Sequence, residues 1–194
     1  MLASASRIRD RILTDAGVDH VCDPASIDEH GLKEKLRREG ADVETAAAAL
    51  AEAKARDVSA RHPGAIVIGA DQILEYDGRW FDKPPDRNVA LATLRTLKGR
   101  THRLISAAAV ARQGEALWLH VETARLTMRE FTEPFLRRYV DEAGDDILDS
   151  VGAYRLEGTG AQLFQRIDGD YFTILGLPLL PLLQFLREAG AAGE

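Results

Sequence analysis

Five short stretches of this chain carry the residue types that handle phosphate, metal or an attacking water. Ser4-Ala5-Ser6-Arg7-Ile8-Arg9 sets hydroxyls and guanidinium groups at the start of a predicted helix. A helix start offers unpaired N–H groups and the positive end of the dipole, which favour phosphate; the same stretch also reads as a capped surface helix with solvated arginines. Gly69-Ala70-Asp71-Gln72 follows a short apolar run. A carboxylate at the end of a rigid strand can hold a metal or orient a water, or simply close a turn. Asp28-Glu29 offers hard oxygen ligands for Mg²⁺ or Mn²⁺, or is a solvated loop. Lys54, in an Ala-rich helix, and Lys83, beside Pro84-Pro85, can each hold a phosphate as a point charge, and each is also an ordinary surface lysine. Ser150–Gly158 brackets Tyr154 and Glu157 with glycines. There a backbone can approach a ligand and Glu157 can accept from a base edge, or Tyr154 simply packs inside a turn.

The elements that must position these groups follow from pattern. Ser6 is the predicted cap of a helix over residues 7–16, closed by Gly17. Residues 18–27 read as a short strand and loop, 28–31 as a polar connection, and 33–39 as a charged helical turn or mobile loop. Asp42 caps a long helix over 43–60, whose AAAALAEAKAR run has high helix propensity. The run AIVIGA at 65–70 suits a buried strand. Asp77-Gly78 predicts a type I′ hairpin between 73–76 and 79–81. Asp86 caps a helix ending near Leu97, with Gly99 after it. Residues 102–112 and 116–128 read as strands joined at Gln113-Gly114. A helix begins at Thr132 or Glu133 and runs to about 143. A hairpin is expected from 163–167 and 171–175 around Gly169-Asp170. Pro178 opens a last helix to about 189, and 191–194 should fray. Interspersed helices and hairpins predict an α/β architecture with a central mixed sheet and flanking helices.

Composition narrows the function. With 25 Lys and Arg against 31 Asp and Glu, the net charge of −6 argues against a general DNA or RNA binder, but not against a small polyanion in a local basic pocket. One cysteine, Cys22, excludes an internal disulfide and fits a cytoplasmic location. The most apolar stretch, Phe172–Phe185, is broken by Gly176, Pro178 and Pro181 and is too short for a membrane span. No phosphate-binding P-loop, nucleophile elbow or H-E-x-x-H motif occurs.

Taken in order, the segments resemble the Maf family of nucleoside triphosphate pyrophosphatases. The resemblance rests on LASAS at Leu2–Ser6, Asp28-Glu29, LAEAKAR at Leu50–Arg56, IGADQ at Ile68–Gln72 and DKP at Asp82–Pro84. It continues through LKGRTH at Leu97–His102, GAYRLEG at Gly152–Gly158 and IDGDYFTILGLPL at Ile167–Leu179. It implies one domain over 1–194, with two lobes around a cleft and a fold like that of the inosine-triphosphate pyrophosphatases. It also implies hydrolysis of a nucleoside triphosphate to monophosphate and pyrophosphate with a divalent cation, Mg²⁺ or Mn²⁺. Homodimers are common in that family, and some members are linked to arrest of cell division, so a nucleotide-binding regulator of septum formation with weak hydrolysis is the alternative.

Carried over by position, Asp71 matches the catalytic carboxylate that takes the proton of the attacking water. Glu29 joins it as a metal ligand. Ser4, Ser6, Arg9, Lys54 and Lys83 match phosphate-facing positions. Ile8, Gln72 and Glu157 fall at positions linked to base preference. Gln72 and Glu157 resemble the branch acting on 7-methyl-GTP. Ile8 departs from it, because that branch carries Trp there, and Ile lacks the cation–π attraction of an aromatic ring. A carboxylate such as Glu157 can accept from the N1–H and N2–H₂ edge of guanine and repels the O4 of uracil or thymine. The expected substrate is therefore a purine, with a modified guanine nucleotide favoured and dTTP or UTP as the alternative.

Overall fold

The structure, a computed structural model, describes residues 1–191; the fraying expected of 192–194 lies outside the described residues. Five strands form one antiparallel sheet in the order β2-β1-β3-β4-β5. They are β1 (Val67–Tyr76), β2 (Arg79–Phe81), β3 (Thr101–Arg112), β4 (Glu115–Met128) and β5 (Phe164–Asp168). Leu2 adds parallel bridges to Ile68 and to Cys22, which give the sheet its mixed character. Seven α-helices accompany it among the described residues: α1 (Arg7–Asp15), α2 (Glu29–Arg38), α3 (Val43–Arg61), α4 (Arg87–Leu97), α5 (Glu133–Ala143), α6 (Tyr171–Ile174) and α7 (Leu179–Glu188). No helix among the described residues is long and apolar enough to cross a membrane.

The chain divides into two compact units. The first holds Met1–Gln72, Ile105–Glu122 and the segment from Tyr171 onward; the second holds Ile73–Leu104 and Thr123–Asp170. In the first unit Leu2, Leu13, Ile68, Ala108, Val110, Leu177, Leu182 and Leu186 share a buried apolar cluster. Each large side chain taken fully out of water there contributes about 1.5–3 kcal/mol. The Ala-rich face of α3 is buried through Ala46, Ala47, Ala51 and Ala55. Small residues let this helix lie close to its neighbours. In the second unit α4 packs on α5, and β4 pairs with β5 from Arg125↔Asp168 to Met128↔Phe164, with a bulge at Thr127/Met128.

Local chemistry accounts for most element boundaries. Asp42 accepts from Thr45 N, Asp86 from Asn88 N and Val89 N, and Thr132 from Phe135 N, so α3, α4 and α5 start where their caps stand. Asp77 and Gly78 both have positive φ, 53° and 72°, as a type I′ turn requires. Gln113 and Gly114 repeat the pattern between β3 and β4.

Four expectations are corrected. The polar connection at 28–31 is the beginning of α2, because the Asp28 carboxylate accepts from Gly31 N and so caps a helix there. Residues 18–27 form no strand beyond the single bridge at Cys22. The strands expected at 65–70 and 73–76 are one continuous β1. The hairpin around Gly169-Asp170 does not form: β5 pairs with β4, and residues 171–174 turn into α6. Gly169, at φ 148°, passes so close to Ala124 that an added Cβ would lie 2.6 Å from its methyl group, and the chain leaves the sheet there.

Candidate functional site

At Gly69, β1 passes close against α3. A Cβ there would stand 2.2 Å from the Ala51 oxygen and 2.6 Å from the Ala55 nitrogen of α3. The missing side chain lets backbone meet backbone, and this brings Lys54 of α3 to Asp71 of β1. Lys54 Nζ donates to Asp71 Oδ1 at 2.7 Å, and Glu29 Oε2, on the first residue of α2, lies 2.7 Å from the same nitrogen. Lys54 and Asp71 are 6% and 8% exposed, whereas half of the Glu29 side chain faces solvent. A buried ammonium thus bridges two carboxylates, which offsets the cost of taking it out of water.

Arg9 completes the charge balance. From α1 its Nε donates to Gly176 O at 2.8 Å and its Nη1 to Ala70 O at 2.9 Å. Burial lowers the guanidinium below its ordinary pKa, and the carboxylates of Asp71 and Glu29 pull it back; it remains a cation at neutral pH. Gly176, at φ 99°, has the backbone geometry that presents this carbonyl. Ser4 Oγ accepts from Ser6 N at 3.2 Å and from Arg9 Nη1 at 3.4 Å. Ser6 occupies the cap position of α1, but its side chain makes no capping bond. The side-chain cap expected of Ser6 is therefore not made.

Beside Asp71, the Gln72 amide nitrogen donates within the protein, to Ser106 Oγ at 2.9 Å, Ile174 O at 3.0 Å and Thr173 O at 3.1 Å. Ile8 packs against the buried cluster of the first unit. Six of the ten expected site residues (Ser4, Ser6, Arg9, Glu29, Lys54 and Asp71) are thus connected by contacts or by charge in one unit, and Ile8 and Gln72 lie in the same unit.

Lys83 and Glu157 belong to the second unit. Lys83 is exposed in the loop after β2, next to the buried Pro84. Glu157 Oε1 accepts from Arg155 Nε at 2.9 Å, and Arg155 also binds Asp146 at 2.6 Å. Tyr154 is packed inside, its hydroxyl 2.7 Å from His102 Nε2. A Cβ at Gly152 would meet the Tyr154 ring at 2.2 Å, so that glycine serves packing.

Sequence reading missed the backbone partners of Arg9. Ala70 O and Gly176 O have no side-chain signature; the only trace was the glycine in the Leu175-Gly176-Leu177-Pro178 break. Ser106, a polar residue in the middle of an apolar strand, is the one sequence signal of the Gln72 contact. As for a metal, the Glu29 and Asp71 oxygens that converge do so on Lys54 Nζ, so an ion held by these two residues would use their other carboxylate oxygens; oxygen donors suit Mg²⁺ or Mn²⁺.

Asp71 stands in the middle of β1, not at a strand end as expected, and in this α/β protein it is balanced there by Lys54 and Arg9, next to a helix start. Residues 1–189 match the family described as Maf-like protein, and the chain belongs to that family. A nucleoside triphosphate pyrophosphatase of Paramagnetospirillum magneticum is 54% identical over 190 residues, 98% of each chain. A 7-methyl-GTP pyrophosphatase of Rhizobium etli is 51% identical over 190 residues, covering 98% of this chain and 96% of that one. The crystal structure of a nucleoside-triphosphatase, a dITP/XTP pyrophosphatase, from Mycobacterium abscessus aligns with 98% of this chain and 93% of its own. Its TM-score is 0.40 and its identity 16%, a likeness too distant to argue from.

Proposed function

We infer that this chain is a hydrolase that splits a nucleoside triphosphate at the α–β phosphoanhydride into nucleoside monophosphate and pyrophosphate. Full-length relatives at about half identity carry that activity in their names. The observation that carries the residue roles is the convergence of Lys54, Glu29 and Arg9 on Asp71 within one unit.

Lys54 holds Asp71 by Oδ1, which leaves Oδ2 to orient a water. That water attacks the α-phosphorus, its proton passes to the Asp71 carboxylate or to solvent, and the bridging oxygen departs with pyrophosphate. When bound at Glu29 and Asp71, a Mg²⁺ or Mn²⁺ ion supplies charge neutralisation along the triphosphate. Arg9, Ser4, Ser6 and the start of α1 bind phosphate oxygens, and Lys54 adds a cation once the ligand competes for it. Asp71 acts mainly by positioning the water. Lys83 and Glu157 keep phosphate and base recognition as their roles within this proposal. The preferred base is a purine, with a modified guanine favoured, because Glu157 offers acceptors to a guanine edge.

Turnover in ¹⁸O-water with Mg²⁺ or Mn²⁺ tests the reaction. Attack at the α-phosphorus puts the label in the monophosphate and leaves pyrophosphate unlabelled. Label in pyrophosphate, or release of orthophosphate alone, would refute it. Asp71→Asn should lower kcat by about 10²–10⁴-fold with unchanged circular dichroism; near-normal turnover removes Asp71 from its role. A panel of canonical and methylated triphosphates tests the base, and a clear preference for dTTP or UTP overturns the purine assignment.

A further inference from the structure

Away from Asp71, three side chains of the first unit meet around one point: Asp10 of α1, and His20 and Cys22 of the segment that follows. His20 and Cys22 are two residues apart on an extended stretch, so their side chains face the same way. That stretch is held in place. Leu2 N donates to Val21 O at 2.9 Å, Asp23 N donates to Leu2 O at 3.0 Å, and Val18 N donates to Leu13 O at 2.9 Å. The His20 side chain is only 4% exposed, whereas Asp10 is half exposed and Cys22 is exposed.

The hydrogen bonds of the imidazole decide what the cluster can hold. His20 Nδ1 lies 2.8 Å from Val18 O. A carbonyl can only accept, so Nδ1 carries the hydrogen. In the neutral ring Nε2 is then a lone pair, and it stands 2.9 Å from Asp10 Oδ1, itself an acceptor. Two acceptors face each other across a gap that a shared hydrogen or a cation must fill. The Cys22 thiol points at the same oxygen, Sγ to Oδ1 3.3 Å. One nitrogen, one sulfur and one carboxylate oxygen therefore surround the gap, all within 4.8 Å of one another. An imidazole whose second nitrogen is tied to a backbone carbonyl has the arrangement usual for a metal-bound histidine. The ring faces the carboxylate rather than the thiol, so the group does not form a base-activated nucleophile.

We propose that Asp10, His20 and Cys22 bind a Zn²⁺ ion, through His20 Nε2, the Cys22 thiolate and an Asp10 oxygen, with water as the fourth ligand. Bonds of about 2.0–2.3 Å in a tetrahedron set ligand atoms roughly 3.3–3.7 Å apart. The present spacings of 2.9 and 3.3 Å need widen by only a few tenths of an ångström, which a half-exposed Asp10 can supply by rotation. Nitrogen and sulfur donors select Zn²⁺ over Mg²⁺, which demands oxygen. The ion ties α1, the helix that carries Arg9, to the segment bridged to Leu2.

The test uses the full chain in excess Mg²⁺, which occupies all-oxygen sites. Titration with Co²⁺ should give a thiolate-to-cobalt charge-transfer band that saturates at one equivalent and is abolished by Zn²⁺. Cys22→Ser should lose the band. Asp10→Asn, still folded by circular dichroism, should weaken Zn²⁺ binding in a chelator competition by more than the roughly 10–100-fold that loss of an outer-shell partner costs. Zn²⁺ should raise the melting temperature of the wild type and of neither variant. Absence of stoichiometric Zn²⁺ binding by the wild type overturns the proposal, as does unchanged binding in both variants. None of these three readouts depends on nucleotide hydrolysis.

Discussion

Replacing Gly69 with alanine tests whether the Lys54–Asp71 contact depends on the close approach of α3 to β1. The new methyl group would lie 2.2 Å from Ala51 O and 2.6 Å from Ala55 N, both of them backbone atoms that cannot rotate away. Returning the first contact to an ordinary 3.4 Å moves α3 off the strand by about 1 Å, and a misplacement of that size near the chemistry costs on the order of 100-fold in rate. The Lys54–Asp71 bond, now 2.7 Å, would stretch past hydrogen-bonding distance. Overpacking of this kind costs about 1–3 kcal/mol. Urea unfolding should therefore show a lower midpoint, and steady-state pyrophosphate release should show kcat reduced by about 10–100-fold at a temperature where the variant stays folded. Ala55→Gly added to the variant should not restore activity, because the Ala55 nitrogen and the Ala51 oxygen remain in place. A Gly69→Ala protein with wild-type midpoint and kcat within about twofold would refute the packing account, since a shift of α3 large enough to relieve the clash is expected to cost far more.

Arg9→Lys keeps the charge but loses the fork that reaches both Gly176 O and Ala70 O. Stability should fall by about 1–3 kcal/mol in urea unfolding and KM for the triphosphate should rise; an unchanged midpoint and KM would contradict the assignment. Burial pushes the His102 imidazole down to about 4, and its Nδ1 is buried without a partner, so a second proton has nothing to bond. The unfolded chain, titrating near 6.5, takes up that proton first. His102 thus favours the folded state fully above about pH 6.5, and this contribution is lost as pH falls toward 4, about 3 kcal/mol in all. The stability difference between wild type and His102→Gln should follow that pH course; a difference independent of pH between 4 and 7 would refute it.

Local sequence settles three of the helix caps and the two tight turns. Asp42, Asp86 and Thr132 accept the first N–H groups of their helices, and Asp77-Gly78 and Gln113-Gly114 adopt the positive φ their turns need. These are contacts between residues two or three apart, so the chain states them locally. The ordered motifs also named Asp71, Glu29, Lys54 and Arg9. Tertiary structure decided what those residues touch. Whether Lys54 meets phosphate or carboxylate depends on a backbone approach at Gly69, between segments far apart in sequence. Arg9 found carbonyls at Ala70 and Gly176 that no side chain advertises. Residues 163–175 became a strand paired to β4 and a short helix rather than a hairpin, since pairing partners are set by long-range packing that overrides local turn preference. The Asp10–His20–Cys22 cluster followed the same rule: three unremarkable residues acquire a shared chemistry only when α1 folds back over the segment after it.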